Sequence, residues 1–98
     1  MSVKSNANGN DVSIIVSGRF DFNDHSSFRD SYREFPSNAS YTLDMSETDY
    51  MDSSALGMLL LLREHAGGDS SSITIVGSKP DIKKILNIAN FQKLFTIK

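Results

Sequence analysis

The sequence predicts an α/β fold: a small two-layer sandwich built on a mixed, mostly parallel sheet of four to five strands with three helices. Stretches in which Val, Ile, Leu and Phe alternate with Ser, Thr and Asp recur along the chain, and segments with helical spacing of apolar residues lie between them. Strands separated by helices imply parallel neighbours joined by right-handed crossovers. Size agrees with this, since 98 residues with 39% hydrophobic content suit one small domain over residues 1–98 and leave no room for a second core.

The elements follow in order. Asn8-Gly9-Asn10-Asp11 is a turn signal, and the few polar residues before it allow only a weak edge strand. From Val12 the pattern turns apolar: Val12, Ile14 and Val16 alternate with Ser13 and Ser17, Ile15 interrupts, and Gly18 and Phe20 close the run. Phe28, Tyr32 and Phe35 then recur at helical spacing from a start near Asn23 or Asp24, and Pro36 stops that helix. Tyr41 to Met45 reads as the next strand. Ser53 to Ala66 reads as the second helix, with Asp52 as its N-cap and Gly67-Gly68 as its stop. Beyond a Ser-rich loop at Ser70 to Ser72, Ile73 to Val76 is a strand. Ser78 and Pro80 open the third helix, in which Ile82, Ile85, Leu86 and Ala89 form the buried stripe. Phe95 to Ile97 closes the sheet. The interleaved Ser, Thr and Asp predict one sheet face on the core and the other largely solvated.

Composition narrows the function classes. The absence of Cys removes disulfides, thiolate metal sites and Cys nucleophiles together, and it suits a reducing cytoplasm. Ten basic and twelve acidic residues give a net charge of −2 with the signs interspersed, which argues against a nucleic-acid partner. The longest apolar run, Met58 to Leu62, falls far short of the ~20 residues that span a bilayer, so no membrane insertion is expected. Met1 to Asn10 lacks the basic-then-apolar order of a signal peptide.

In such sheets the loops at the carboxyl ends of the strands converge, and sites form there. Here they carry Phe20-Asp21-Phe22, then Glu47 to Ser54, then Gly77-Ser78-Lys79. On a helical wheel, Ala55, Leu56, Leu59, Leu60, Leu62 and Ala66 share one broad arc that can face the sheet. Ser54, Gly57, Met58, Leu61 and His65 fall on the opposite side, where Lys, Glu and Gln would be expected of a solvated face. Met58 and Leu61 are therefore either peripheral core or part of a docking surface with Ser54 at its rim. Two adjacent serines mean little in a chain with sixteen, and capping by Asp52 or Ser53 would explain both. Position singles out Ser54: in the first turn its side chain points outward, where a phosphate would meet free amides and the positive end of the helix dipole.

Catalytic readings fare poorly. There is no G-x-S-x-G elbow, and His65, eleven residues beyond Ser54 on the same helix, lies about 16 Å away along its axis. His25 reads as a surface residue, two distant His make no metal site, and no phosphate-binding loop occurs. Asp21, Asp49 and Asp52 at the mouth would repel a nucleotide. A phospho-receiver domain would use Asp44 as acceptor with Lys79 nearby, but it needs an acidic pair after the first strand to hold magnesium, and only Asp21 is there.

At Asp52-Ser53-Ser54-Ala55-Leu56-Gly57 the chain resembles the STAS domain, and specifically the bacterial anti-sigma-factor antagonists. In that family a D-S-[ST]-G-[LIV]-G motif opens the second helix, and its second hydroxyl residue is phosphorylated. Ser54 holds that position, and Ala55 stands in place of the usual Gly. The resemblance extends to Gly18-Arg19-Phe20-Asp21 in the family's G-x-[LF]-D slot, to Leu43-Asp44-Met45-Ser46, and to Ile75-Val76-Gly77 with the closing Leu94-Phe95. It implies a non-enzymatic switch that, unphosphorylated, binds an anti-sigma factor or serine kinase through Asp21, Asp52, Ser53, Gly57, Met58 and Leu61. Phosphorylation of Ser54 would turn it off and a metal-dependent serine phosphatase would reset it, so ATP and metal belong to the partners and the chain needs no cofactor. The resemblance also admits an accessory STAS subunit of a membrane transporter, bound at the cytoplasmic face; a receiver-like domain phosphorylated on Asp44 ranks behind both.

Overall fold

A computed structural model describes residues 2–98. Five strands form one sheet in sequential order: β1 (Ser2–Asn8), β2 (Asp11–Phe20), β3 (Ser40–Met51), β4 (Ser72–Val76) and β5 (Thr96–Ile97). β1 and β2 are antiparallel, and every later neighbour is parallel. The parallel strands are linked through α1 (His25–Asp30), α2 (Ser53–His65) and α3 (Pro80–Ile88). The predicted architecture of a mostly parallel sheet with three helices is what the chain adopts.

Period-2 patterning explains how the sheet is buried. Val12, Ile14, Val16 and Phe20 from β2, Tyr41, Leu43 and Met45 from β3, and Ile73 and Ile75 from β4 are buried with the helical residues in one cluster. Register rows set the opposite face: Ser13, Thr42, Thr74 and Thr96 line up across four strands, and Ile15, Asp44 and Val76 across three. That face is only partly covered, as the interleaved polar residues predicted.

Two segments differ from the sequence reading. The first helix is shorter than its apolar spacing suggested: a single 3-10 turn over Phe22–Asp24 leads into α1, and turns replace helix from Ser31 to Phe35. Phe28 and Tyr32 still pack inward, with ring centroids 5.7 Å apart, so the stripe was correct while the helix needed to present it was only two turns long. The second difference is larger. Residues 47–51, part of the stretch read as loop, continue β3 alongside β2 as far as the Phe20–Met51 pair, whereas the pairing with β4 stops at Asp44–Val76.

Irregularity hides this extension in the sequence. From Ile15–Asp44 to Arg19–Tyr50 the register advances four residues on β2 and six on β3, so β3 accommodates two extra residues at register shifts that destroy strict alternation. Gly18 takes a positive φ of 78° beside the second shift. Buried Thr48 braces the region, its Oγ1 donating to Val16 O at 2.8 Å.

Gly77 is a close approach as well as a left-handed position. At φ 74°, a Cβ placed on it would lie 2.9 Å from Ser46 Cβ and 3.2 Å from Ser46 Cα. Gly77→Ala should therefore cost ~1–3 kcal/mol from backbone strain with a further steric penalty, readable as a lower urea midpoint at unchanged m-value. An unchanged midpoint would show that the β4 exit relaxes freely.

Alkaline pH probes the α1–α2 end of the core. Burial pushes the Tyr32 and Tyr41 phenols above their usual 10.0, with nearby Arg29 opposing the shift at Tyr32 and Tyr32 itself adding to it at Tyr41. A raised folded-state value means that the folded state holds its proton after the unfolded chain has lost it. Stability from this source is complete below pH 10 and declines as pH rises through the folded-state values. Tyr32→Phe should flatten that decline in thermal melts run from pH 9 upward, and a wild-type slope in the variant would contradict the assignment.

Candidate functional site

The extension of β3 brings two chain segments to one place. Phe20 pairs with Met51, and the Asp52 N–H donates to Phe20 O at 3.3 Å, so the turn leaving β2 and the helix leaving β3 start side by side. Asp52 is the N-cap of α2, as its position before the helix predicted: its Oδ1 accepts from the Ala55 N–H at 3.0 Å. Ser53 and Ser54 are the first two helical residues, and both are exposed. Their amides are among those that an α-helix leaves without internal partners.

Asp21 organises the neighbouring turn. Its Oδ1 accepts from the Asn23 N–H at 3.1 Å while Asp24 Oδ2 accepts from the Asp21 N–H at 2.9 Å, a reciprocal capping box that fixes the 3-10 turn. This box projects Phe22 outward, and it is 66% exposed. Arg19 Nε lies 3.6 Å from Asp21 Oδ2, and the guanidinium sits 4.0 Å over the Tyr50 ring. On the far side of β3, Asp49 pairs with Lys79. The mouth predicted to be acidic therefore has two of its three carboxylates beside cations, and the third is occupied as a helix cap.

The outer face of α2 carries Ser53, Ser54, Gly57, Leu60, Leu61 and Glu64. A Cβ at Gly57 would meet nothing within 4 Å, which leaves a shallow gap between Ser54 and the two leucines. The sequence reading placed Met58 on this face and Leu60 toward the sheet, and the structure reverses them: Met58 is 2% exposed and Leu60 40%. Ala55, Leu59, Leu62 and Ala66 fix the inward direction; Met58 adjoins their arc about 40° beyond Leu62, whereas Leu60 lies about 100° beyond Leu59. With four leucines in a row the apolar side could be drawn on either flank, so the wheel alone could not decide.

Of the residues assigned from sequence to partner binding, Asp21, Asp52, Ser53, Gly57 and Leu61 are brought together with Ser54, and Met58 is not available. Sequence reasoning passed over Phe22, Tyr50 and Leu60. Tyr50 was concealed by the unrecognised strand, while Phe22, a large aromatic beside a capping Asp, was a signal that could have been used. His65 is also reassigned. Its Nε2 is 2.8 Å from Phe35 O and its ring packs at a tilt against Tyr32 and edge-on to Tyr41, so it ties the end of α2 to the turn after α1. Asp44 lies mid-strand on the open sheet face, where its Oδ1 accepts from the Ser46 N–H, and this removes it from the mouth that a receiver-like acceptor would occupy.

Stability measurements separate the two sides of α2. Met58→Lys should cost several kcal/mol in unfolding free energy because it buries an unpaired charge, whereas Leu61→Lys should stay within ~0.5 kcal/mol. Equal losses would contradict this placement of the helix.

Comparison with known proteins agrees with the geometry. The family model for "Mlab, STAS domain" matches residues 3–96. A STAS-domain containing protein of Pseudomonas aeruginosa (strain UCBPP-PA14) is 47% identical over 92 residues, covering 93% of this chain and 91% of its own. Among solved structures, an anti-sigma factor antagonist from Mycobacterium paratuberculosis superposes with TM-score 0.80 at 16% identity, covering 98% of this chain and 83% of its own. The anti-sigma factor antagonist SpoIIAA in its unphosphorylated form gives 0.73 at 14% identity over 99% and 87%. A sulfate transporter family protein from Wolinella succinogenes gives 0.71 at 15% identity over 93% and 80%. Such low identities establish the shared fold, and no helix among the described residues is long and apolar enough to cross a membrane. By family model and by close relative alike, this chain belongs to the STAS-domain family.

Proposed function

We propose that this STAS domain is a phosphorylation-controlled protein-binding switch, an anti-sigma-factor antagonist that works without catalysis of its own. The observation that carries the reading is an exposed Ser54 heading an outer face of α2 on which Leu60 and Leu61 remain uncovered, next to a capped turn that presents an exposed Phe22. Large apolar side chains beside a polar rim are the composition of a docking surface, and aromatic anchors dominate binding energy in such patches. Unphosphorylated, the surface binds an anti-sigma factor or serine kinase in the cytoplasm. A serine kinase closes it by modifying Ser54 and a serine phosphatase reopens it; nucleotide and metal are supplied by those enzymes.

The physics of closure is local. A phosphate on Ser54 adds about −1.5 to −2 charge next to the free amides of the first turn, which the helix dipole favours. A partner seated over Ser54 would have to desolvate that dianion or leave it unpaired, at a cost of several kcal/mol. Arg19 is committed to Tyr50 and Asp21, and Lys79 to Asp49, so the nearby cations already have partners. Since each 1.4 kcal/mol is a factor of ten, affinity should fall ~100-fold or more.

A second reading draws on the transporter-family match: an accessory STAS subunit bound to a membrane transporter without phosphorylation. Intact mass after expression beside the native kinase distinguishes them. The switch requires a +80 Da species (one phosphate) that is stable to hydroxylamine, maps to Ser54 and vanishes in Ser54→Ala. Titration of both forms against the captured partner should show the affinity loss, with Ser54→Asp reproducing only part of it. A phosphate on Ser53, or equal affinity of the two forms, would overturn the switch.

A further inference from the structure

The two edges of the sheet are built differently. β5 is two residues long, a length that offers little to pair with. β1 has seven residues, six of them exposed, with no proline, no bulge and a single charge at Lys4. Natural edge strands are normally blunted by such features, because unpaired N–H and C=O groups template the addition of another strand, and Lys4 is the one that β1 carries.

The hairpin determines which groups are free. Asn8 and Asp11 are registered across the Gly9-Asn10 turn, with Gly9 at φ 64° in the first central position of a two-residue loop. That makes Asn8–Asp11 a hydrogen-bonded pair, and alternation makes Asn6–Ser13, Lys4–Ile15 and Ser2–Ser17 hydrogen-bonded too. Val3, Ser5 and Ala7 consequently direct their main-chain N–H and C=O groups away from the sheet.

We propose that β1 pairs with β1 of a second copy, antiparallel about a two-fold axis through Ser5, to form a continuous ten-stranded sheet. In a symmetric antiparallel pair the residue numbers sum to an even value, and a sum of ten uses the whole strand. Val3 then faces Ala7 of the other copy and Ser5 faces Ser5, so the outward groups of all three residues close about six hydrogen bonds. Lys4 faces Asn6. Sliding the register to a sum of eight would set Lys4 against Lys4, and a sum of twelve would leave Ser2 and Val3 unpaired. Val3, already packed on the core, would extend its apolar contact to Ala7 on the helix side of the joint sheet. A second copy supplies the hydrogen-bonding complement of this strand in full.

The contact is smaller than a standard interface, so the dimer exchanges with monomer. Sedimentation equilibrium of the full chain should give 10.8 kDa when dilute and approach about twice that mass as concentration nears the millimolar range. Ser5→Pro removes an outward N–H that β2 does not use, so it should abolish the dimer and leave the thermal unfolding profile in place. If that variant folds poorly, Ser5→Asp, which opposes like charges on the axis, serves the same purpose. Because the chain has no Cys, Ser5→Cys and Asn8→Cys give clean cross-linking probes. A short bismaleimide should join Ser5→Cys chains, whose paired Cα atoms lie about 5.5 Å apart, and fail on Asn8→Cys, where the separation is about 20 Å. A monomer at all concentrations, a dimer that survives both Ser5 substitutions, or preferential cross-linking at position 8 would each overturn the proposal.

Discussion

The arrangement of this domain depends on the prolonged pairing of β2 with β3. Ending β3 at Asp44, where β4 stops following it, would start α2 in open solvent beyond the sheet. Continuing to the Phe20–Met51 pair places the first turn of α2 against the capped turn that follows β2. Buried Thr48, bonded to the Val16 carbonyl, and the left-handed Gly18 hold the strands together through two register shifts. A satisfied hydroxyl at this depth is worth more than its net hydrogen-bond energy suggests, because removing it would strand a buried carbonyl.

Around that junction the polar groups are largely used for shaping. Asp52 caps α2, Asp21 and Asp24 cap each other's turn, Arg19 bridges Asp21 and the Tyr50 ring, and Lys79 holds Asp49. Each exposed ion pair contributes little to stability, yet together they fix the rim. What they leave uncommitted are the Ser53 and Ser54 hydroxyls and a group of apolar side chains. Such a rim is suited to control by charge, since a phosphate would change the surface without requiring the sheet to move.

Much of this was legible in the sequence wherever a single physical rule governed. Helix capping located Asp52 and hence the outward Ser54; alternation located the buried strand residues; glycine and proline located the ends of α2 and the start of α3. Legibility failed where rules competed. The run of leucines from Leu59 to Leu62 offers two apolar flanks, and only the tertiary position of Ala55 and Ala66 selects the one that buries Met58 and exposes Leu60. Register shifts erased the period of two through Ser46 to Tyr50, which hid the strand and with it the placement of Tyr50. His65 looked solvent-facing on a wheel because its partner, the Phe35 carbonyl, comes from another part of the chain.

On the proposed reading, modification of Ser54 alters a surface and leaves the fold intact. Protein carrying phosphoserine installed at position 54 tests this without a kinase or partner, by comparing amide NMR spectra of the modified and unmodified chains. Shift changes should be confined to Asp52–Gly57 and the adjoining Arg19–Phe22 and Tyr50, with the amides of Ile14, Leu43 and Ile75 unmoved. Changes spread through those core strands would contradict that reading, and would mean that the phosphate acts by remodelling the domain.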